Sequence, residues 1–321
     1  MFKKLSFRIL AVIFVILLVV LAIKWYVDNK RGESTFKKEL VGAGTNEITA
    51  VAFTPDKQNP EEVRVILEGG QWKIYKGNKS YRADSMLVGN MIAALTGLKP
   101  ERVAATDRSK WKEFQVDDSA GTNVKLYKNK DLVADLIIGK FSYTPEKSQN
   151  IYGKPQGKMS TYVREAGDDD VYAVEGFINT TYNKNINSLR DKGLMRSRRE
   201  DLKQLTFRYP GDSSFTLTQQ GTKWMLNGVV CDSTRTVRYL STIARLSSAD
   251  LVDDASFDVN HPAYSLTIEA NNMEPVEIKA FPADSVNKFI ITSSINEGTY
   301  FSGAKNKLLN RIFVGRKNFL P

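Results

Sequence analysis

Short alternations of apolar and polar residues dominate this chain, interrupted by stretches of helical spacing. Ile48, Val51 and Phe53 predict a first strand. Residues 63–67 alternate, and a Gly69-Gly70 turn leads into Trp72-Lys73-Ile74-Tyr75, the pattern of a hairpin. Leu87, Val88, Met91, Ile92, Leu95 and Leu98 then recur every three or four positions, so one face of a helix is apolar. Asp84 is placed to cap that helix, and Pro100 ends it. Strand-like runs follow at 124–127 and 132–138, then at 161–164 and 171–174 around a Gly167-Asp168-Asp169-Asp170 turn. A helix over 177–189, with Ile178, Tyr182, Ile186 and Leu189 on one face, closes the series.

The order then repeats. Residues 46–53 correspond to 200–207, Trp72-Lys73-Ile74 to Trp224-Met225-Leu226, and Asp84-Ser85 to Asp232-Ser233. From the acidic cap to the last apolar position, Leu98 or Leu246, each copy counts 14 residues. Phe114-Gln115-Val116 is matched with Tyr264-Ser265-Leu266. Strands are predicted at 266–269, 276–281, 288–292 and 299–301, and a last helix near 302–313. The repeat predicts an α+β fold of two related units, 46–195 and 196–321, each an antiparallel sheet with helices on one face. The charged stretch 190–199 is their junction. The copies differ where 139–160 replaces the short 282–287 connection, and a long loop is expected there. Trp72 and Trp224 share one slot of the repeat, so they read as pins between sheet and helix rather than as ligand platforms.

Ahead of the units, residues 9–23 are 15 consecutive apolar residues, flanked by Lys3, Lys4, Arg8 and Lys24. As a helix the run rises about 22 Å. Snorkelling by Arg8 and Lys24, with Trp25-Tyr26 at the headgroups, extends it towards the roughly 30 Å hydrocarbon core. The reading is a transmembrane anchor over 1–27 and a polar tether over 28–45, with the membrane as one partner. A cleaved signal peptide is the alternative, since Val20-Leu21-Ala22 has the spacing for cleavage. Both readings export the remainder. The anchor reading expects a single-pass protein of the cytoplasmic (inner) membrane with its bulk in the periplasm.

Composition removes chemistries without supplying one. A single cysteine, Cys231, and a single histidine, His261, exclude an intramolecular disulfide and a zinc site built mainly from Cys and His. The net charge of +10 comes without a compact basic-aromatic motif, so no nucleic acid partner is expected. Asp168-Asp169-Asp170 lacks the spacing of a calcium loop and reads as a charged hairpin tip. Cys231, matched by Ala83, reads as a packing residue, and His261 as a solvent-facing loop residue. No phosphate loop, nucleophile elbow or zinc-protease motif appears. No catalytic residue, metal or cofactor is expected. The candidate binding residues are Phe141, Tyr143, Lys147, Tyr152, Lys154 and Lys158, which mix aromatics with lysines in the 139–160 stretch. Arg196, Arg198 and Arg199 in the basic junction join them as groups able to grip phosphate, beside the reading of a solvated linker.

Several short motifs together carry a resemblance. They are Gly-Gly-x-Trp-Lys-Ile, Ala83-Asp84-Ser85 before a helix, Phe114-Gln115-Val116, Leu136-Ile137-Ile138-Gly139, Tyr162-Val163-Arg164, Val171-Tyr172-Ala173-Val174 and Leu189-Arg190-Asp191-Lys192. As a set they resemble the DUF4340 family over most of residues 46–321. The resemblance implies an exported, membrane-anchored protein of unknown biochemistry, with genes beside gliding-type ABC transporter subunits, and it carries over no catalytic residues. The expected function is a non-catalytic accessory or scaffold subunit of an ABC-type transport or surface-assembly complex, with transporter subunits as partners. The alternative is a module that binds an envelope glycan or anionic polymer. An envelope hydrolase is a third reading.

Overall fold

Antiparallel strand pairing organises both halves of the chain. The structure is a computed structural model that describes residues 40–55, 60–145, 157–182 and 185–321, with Leu18, Val19, Leu21, Lys37 and Glu39. In the first half β1 (Ala50–Phe53) precedes β2 (Val63–Glu68), β3 (Gln71–Lys76), β4 (Lys79–Arg82) and helix α1 (Ser85–Thr96). β5 (Pro100–Ala105), β6 (Thr122–Lys128), β7 (Asp131–Pro145), β8 (Gly157–Glu165) and β9 (Val171–Glu175) follow. In the second half β10 (Leu202–Arg208), β11 (Phe215–Gln220), β12 (Lys223–Leu226) and β13 (Val229–Val230) precede helix α2 (Ser233–Ala244). The series ends with β14 (Tyr264–Ala270), β15 (Val276–Pro282), β16 (Phe289–Ser293) and β17 (Phe301–Ser302).

Two compact units result, each assembled from two stretches of chain. Unit 1 comprises Met1–Glu62 and Asn90–Lys184, and unit 2 comprises Val63–Gly89 and Asn185–Pro321. In unit 1 the strands pair antiparallel in the order β1-β6-β7-β8-β9-β5. In unit 2, β2, β3 and β4 form an antiparallel meander, and eight strands pair as β13-β12-β11-β10-β14-β15-β16-β17.

The repeat extends to individual hydrogen bonds. Ala83 donates its N–H to the Trp72 carbonyl at 2.8 Å, and Cys231 donates to Trp224 at 2.9 Å. Asp84 donates to the Leu189 carbonyl and Asp232 to the Phe319 carbonyl, each at 2.8 Å. Both aspartates cap their helices: Asp84 accepts from the N–H groups of Met86 and Leu87, and Asp232 from that of Arg235. Trp72 and Trp224 are only half-buried, while Ile74 and Leu226, two positions on, are buried. Each tryptophan shares a strand face with that aliphatic residue and sits at the margin of the core, against which Trp224 packs.

The unit 2 core joins Phe207, Leu217, Ile268 and Ile278 of the sheet to Tyr239, Leu240 and Ile243 of α2. Phe319 from the tail is fully buried in it, with its ring 5.2 Å from that of Tyr239. In unit 1, Val116, Ile137, Tyr162, Val171 and Ala173 form a buried cluster. The Arg164 guanidinium lies 3.6 Å from the Trp111 ring centroid and donates to the Val116 carbonyl. Gly139 is a tight contact: a Cβ there would stand 2.3 Å from the Phe114 carbonyl oxygen and 2.6 Å from Val116.

Several expectations need correction. The α+β class with an N-terminal transmembrane helix gives way to a fold that is mostly two antiparallel sheets. No helix among the described residues is long and apolar enough to cross a membrane. Of the proposed 1–27 anchor only Leu18, Val19 and Leu21 are described, helical and exposed; the rest lies outside the described residues. The helix expected over 177–189 shrinks to Asn179–Tyr182 and a 3₁₀ turn at Ile186–Ser188, in a stretch of Asn and Thr that are weak helix formers. The helix expected near 302–313 is only Leu308–Ile312, because Asn306 and Lys307 take left-handed backbone angles just before it. Phe114-Gln115-Val116 ends the short helix Trp111–Phe114, whereas Tyr264-Ser265-Leu266 opens β14, so the two are not equivalent. The 139–160 loop is strand as far as Pro145 and again from Gly157, where β7 and β8 pair.

Candidate anion-binding groove

The junction 190–199 opens with two buried charged residues. Arg190 is 1% exposed and Asp191 is 3% exposed. Arg190 donates to Asp253 at 2.7 Å and its guanidinium lies 3.9 Å from the Tyr81 ring centroid. The Asp191 carboxylate accepts from the Gly193 N–H at 2.8 Å, pairs with Arg82 at 3.3 Å, and is held in a short contact by Arg196. Asn296, itself buried, donates to the carbonyls of Asp191 and Gly193. The stretch read as a charged junction is thus, at its start, a buried knot that ties β4 to the turn after β16. Gly193 packs under the Arg196 side chain: a Cβ there would come within 2.6 Å of Arg196 Nε and push that side chain aside.

Beside this knot lies a cavity of about 1060 Å³. Four parts of unit 2 wall it: the first turn of α1 at Asp84–Met86, residues 192–201, Arg245–Ser247 after α2, and the turn Asn271–Met273 between β14 and β15. Four cations line it, Lys192, Arg196, Arg198 and Arg245, against two carboxylates, Asp84 and Asp201. Arg198 binds Asp201 through two hydrogen bonds of 2.8 and 3.0 Å. Those bonds hold the Asp201 carboxyl below the usual carboxylate range and raise the Arg198 guanidinium. Arg196 pairs with Asp191 and lies 3.8 Å from Asp84. Lys192 and Arg245 have no carboxylate or side-chain hydrogen-bond partner among the described residues. The groove therefore carries two uncompensated positive charges. The N-terminus of α1 adds little, since Asp84 already takes its free N–H groups.

The expected binding residues divide between the two units. Arg196 and Arg198 line the groove, while Arg199 pairs with Glu200 at 2.8 Å. In unit 1, Phe141 packs edge-on against Phe177 at 4.6 Å, Tyr143 lies across Gly157, and Lys158 pairs with Glu101 at 2.5 Å. Their side chains decorate the paired hairpin of β7 and β8. Lys147, Tyr152 and Lys154 lie outside the described residues. Sequence reasoning missed Lys192 and Arg245, the two cations left free. Lys192 closes the Leu-Arg-Asp-Lys motif, so a signal for it existed; Arg245 becomes visible only once α2 has placed it.

The other candidates fall into structural roles. Cys231 is buried, and burial pushes its thiol up. His261 is exposed and bonded to Asp258 at 2.6 Å. Asp168 pairs with Lys37 and Asp169 with Arg108. Among the described residues no group of three or more His, Cys, Asp or Glu side chains is placed to hold a metal ion.

A family model described as a domain of unknown function, DUF4340, matches residues 72–267. No curated protein and no solved structure matches the chain.

Proposed function

We propose, for a chain that belongs to the DUF4340 family of unknown function, a non-catalytic binding role in which unit 2 grips an anionic polymer. One observation carries this reading: Lys192 and Arg245 line the groove without a counter-charge, while the other charged groups there are paired. A polyanion supplies the missing charge, and two guanidinium groups already fixed by Asp191 and Asp201 flank its path. The groove's carboxylates do not suit acid–base work. Asp201 is held ionised by Arg198, the opposite of a general acid, and Asp84 is committed to capping α1.

The test is titration of the whole chain with an oligoglutamate at low salt. Lys192→Ala with Arg245→Ala should weaken binding about tenfold and leave the unfolding midpoint unchanged, since neither side chain bonds to the fold. Equal affinity in the double variant would remove the reading. An ABC-type transporter as the setting for this binding is a further proposal and rests on the family resemblance alone. Affinity capture of the full chain in mild detergent should then recover transporter subunits, and recovery of none would sink it.

A further inference from the structure

A second, smaller cavity of unit 2, about 410 Å³, is lined by three arginines: Arg235 and Arg238 from α2, and Arg311 from the short helix Leu308–Ile312. Thr242, Tyr239 and Asn318 complete the wall, and no carboxylate lines it. The surrounding sequence is poor in acid: residues 302–321 carry five lysines and arginines and no Asp or Glu, α2 contains no acidic residue, and Asp232 just before it is engaged in capping the helix. The pocket is built rather than accidental. Phe319 anchors the tail in the core, its carbonyl accepts from the Asp232 N–H, and Arg235 donates to the Leu320 carbonyl at 3.0 Å. Tyr239 donates its hydroxyl to the Ile312 carbonyl at 2.7 Å, which fixes the Arg311 helix against α2. Arg238 and Arg311 themselves have no side-chain partner among the described residues.

We propose that this pocket is a phosphate-binding site, separate from the groove and suited to a phosphate monoester or free phosphate. Three guanidinium groups that line one small cavity without a carboxylate repel one another, and a multiply charged tetrahedral anion offsets that repulsion best. A carboxylate brings one charge and two oxygens, which a single guanidinium fork satisfies. A phosphate monoester brings about −1.5 to −2 charges and three acceptor oxygens, enough to engage all three arginines. The site does not depend on the groove. Arg235, Arg238 and Thr242 fall within roughly 60° of the circumference of α2, so one face of that helix lines the pocket.

The experiment is calorimetric titration of the whole chain with inorganic phosphate, glucose 6-phosphate and acetate. Phosphate and the sugar phosphate should bind, and acetate at least tenfold more weakly. Arg238→Gln with Arg311→Gln should lower phosphate affinity about tenfold or more, while Lys192→Ala with Arg245→Ala leaves it within about twofold. Equal affinity for the two phosphates identifies the phosphate group alone as the ligand; tighter sugar phosphate identifies a phosphorylated carrier. Should the double glutamine variant lose its fold, Arg311→Lys, which keeps the charge but not the fork, should still weaken phosphate measurably. Phosphate binding that is unchanged in the arginine variants, or that is lost only in the groove variant, overturns the proposal. Because the groove is tested with oligoglutamate, either site can fail without the other.

Discussion

Replacing Asp191 separates the role of the knot from the role of the groove. Its carboxylate satisfies the Gly193 N–H and two guanidinium groups while being only 3% exposed. Asp191→Ala leaves the Gly193 N–H unpaired, which costs about 1–3 kcal/mol. The side chains of Arg82 and Arg196 are 34% and 51% exposed, so both can rehydrate, and together they add only about 1 kcal/mol. The expected loss is about 2–4 kcal/mol. In a unit of this size that lowers the thermal midpoint by roughly 5–10 °C. Asp191→Asn keeps an acceptor for Gly193 and should lose about half as much. Urea unfolding of the three proteins measures this directly. The distinguishing feature is binding: removing a negative charge beside the groove should leave oligoglutamate affinity unchanged or tighter, even as stability falls. An Asp191→Ala chain within about 0.5 kcal/mol of the parent would refute the buried knot, since the unpaired Gly193 N–H alone should cost at least about 1 kcal/mol.

Other substitutions probe the frame around the sites. Gly139→Ala should destabilise by about 1–3 kcal/mol in denaturant unfolding, because its Cβ has no room against the Phe114 carbonyl. Phe319→Ala should cost about 3–5 kcal/mol and weaken phosphate binding too, as the tail that holds Arg235 comes loose. The Cys231 thiol should react with a disulfide reagent far more slowly in the native chain than in urea at pH 8, with the native rate climbing only at higher pH. The sign follows from a pKa raised by burial: the neutral thiol is favoured in the fold, so its contribution is intact below the unfolded pKa and fades as pH rises.

The repeat was readable because two local rules agree in both copies. Alternation marks the strand pairs, and Asp84 and Asp232 sit where a cap must sit, as their bonds to the first turns of α1 and α2 show. Three things were hidden. β4 is Lys79–Arg82, a polar strand whose place is set by pairing with β3 rather than by its own pattern. Phe141-Ser142-Tyr143-Thr144 does alternate, yet its length and flanking lysines and prolines resemble a loop, and only the partner strand β8 distinguishes the two. The groove was hidden for a tertiary reason. Its walls come from residues 84–86, 192–201, 245–247 and 271–273, and only folding brings them together. Charge counting could single out Arg196–Arg199 as basic, but not that Asp191, Asp201 and Glu200 neutralise them and leave Lys192 and Arg245 free.

Lysine footprinting tests the groove most directly. The chain is acetylated briefly with and without oligoglutamate, and each lysine's modification is read by mass spectrometry. A polyanion seated beside Lys192 should protect it severalfold, while Lys112 and Lys130, exposed on unit 1, react as before. If Lys192 is modified equally in both samples while the polymer is bound, the polymer lies elsewhere and the groove is not the binding site.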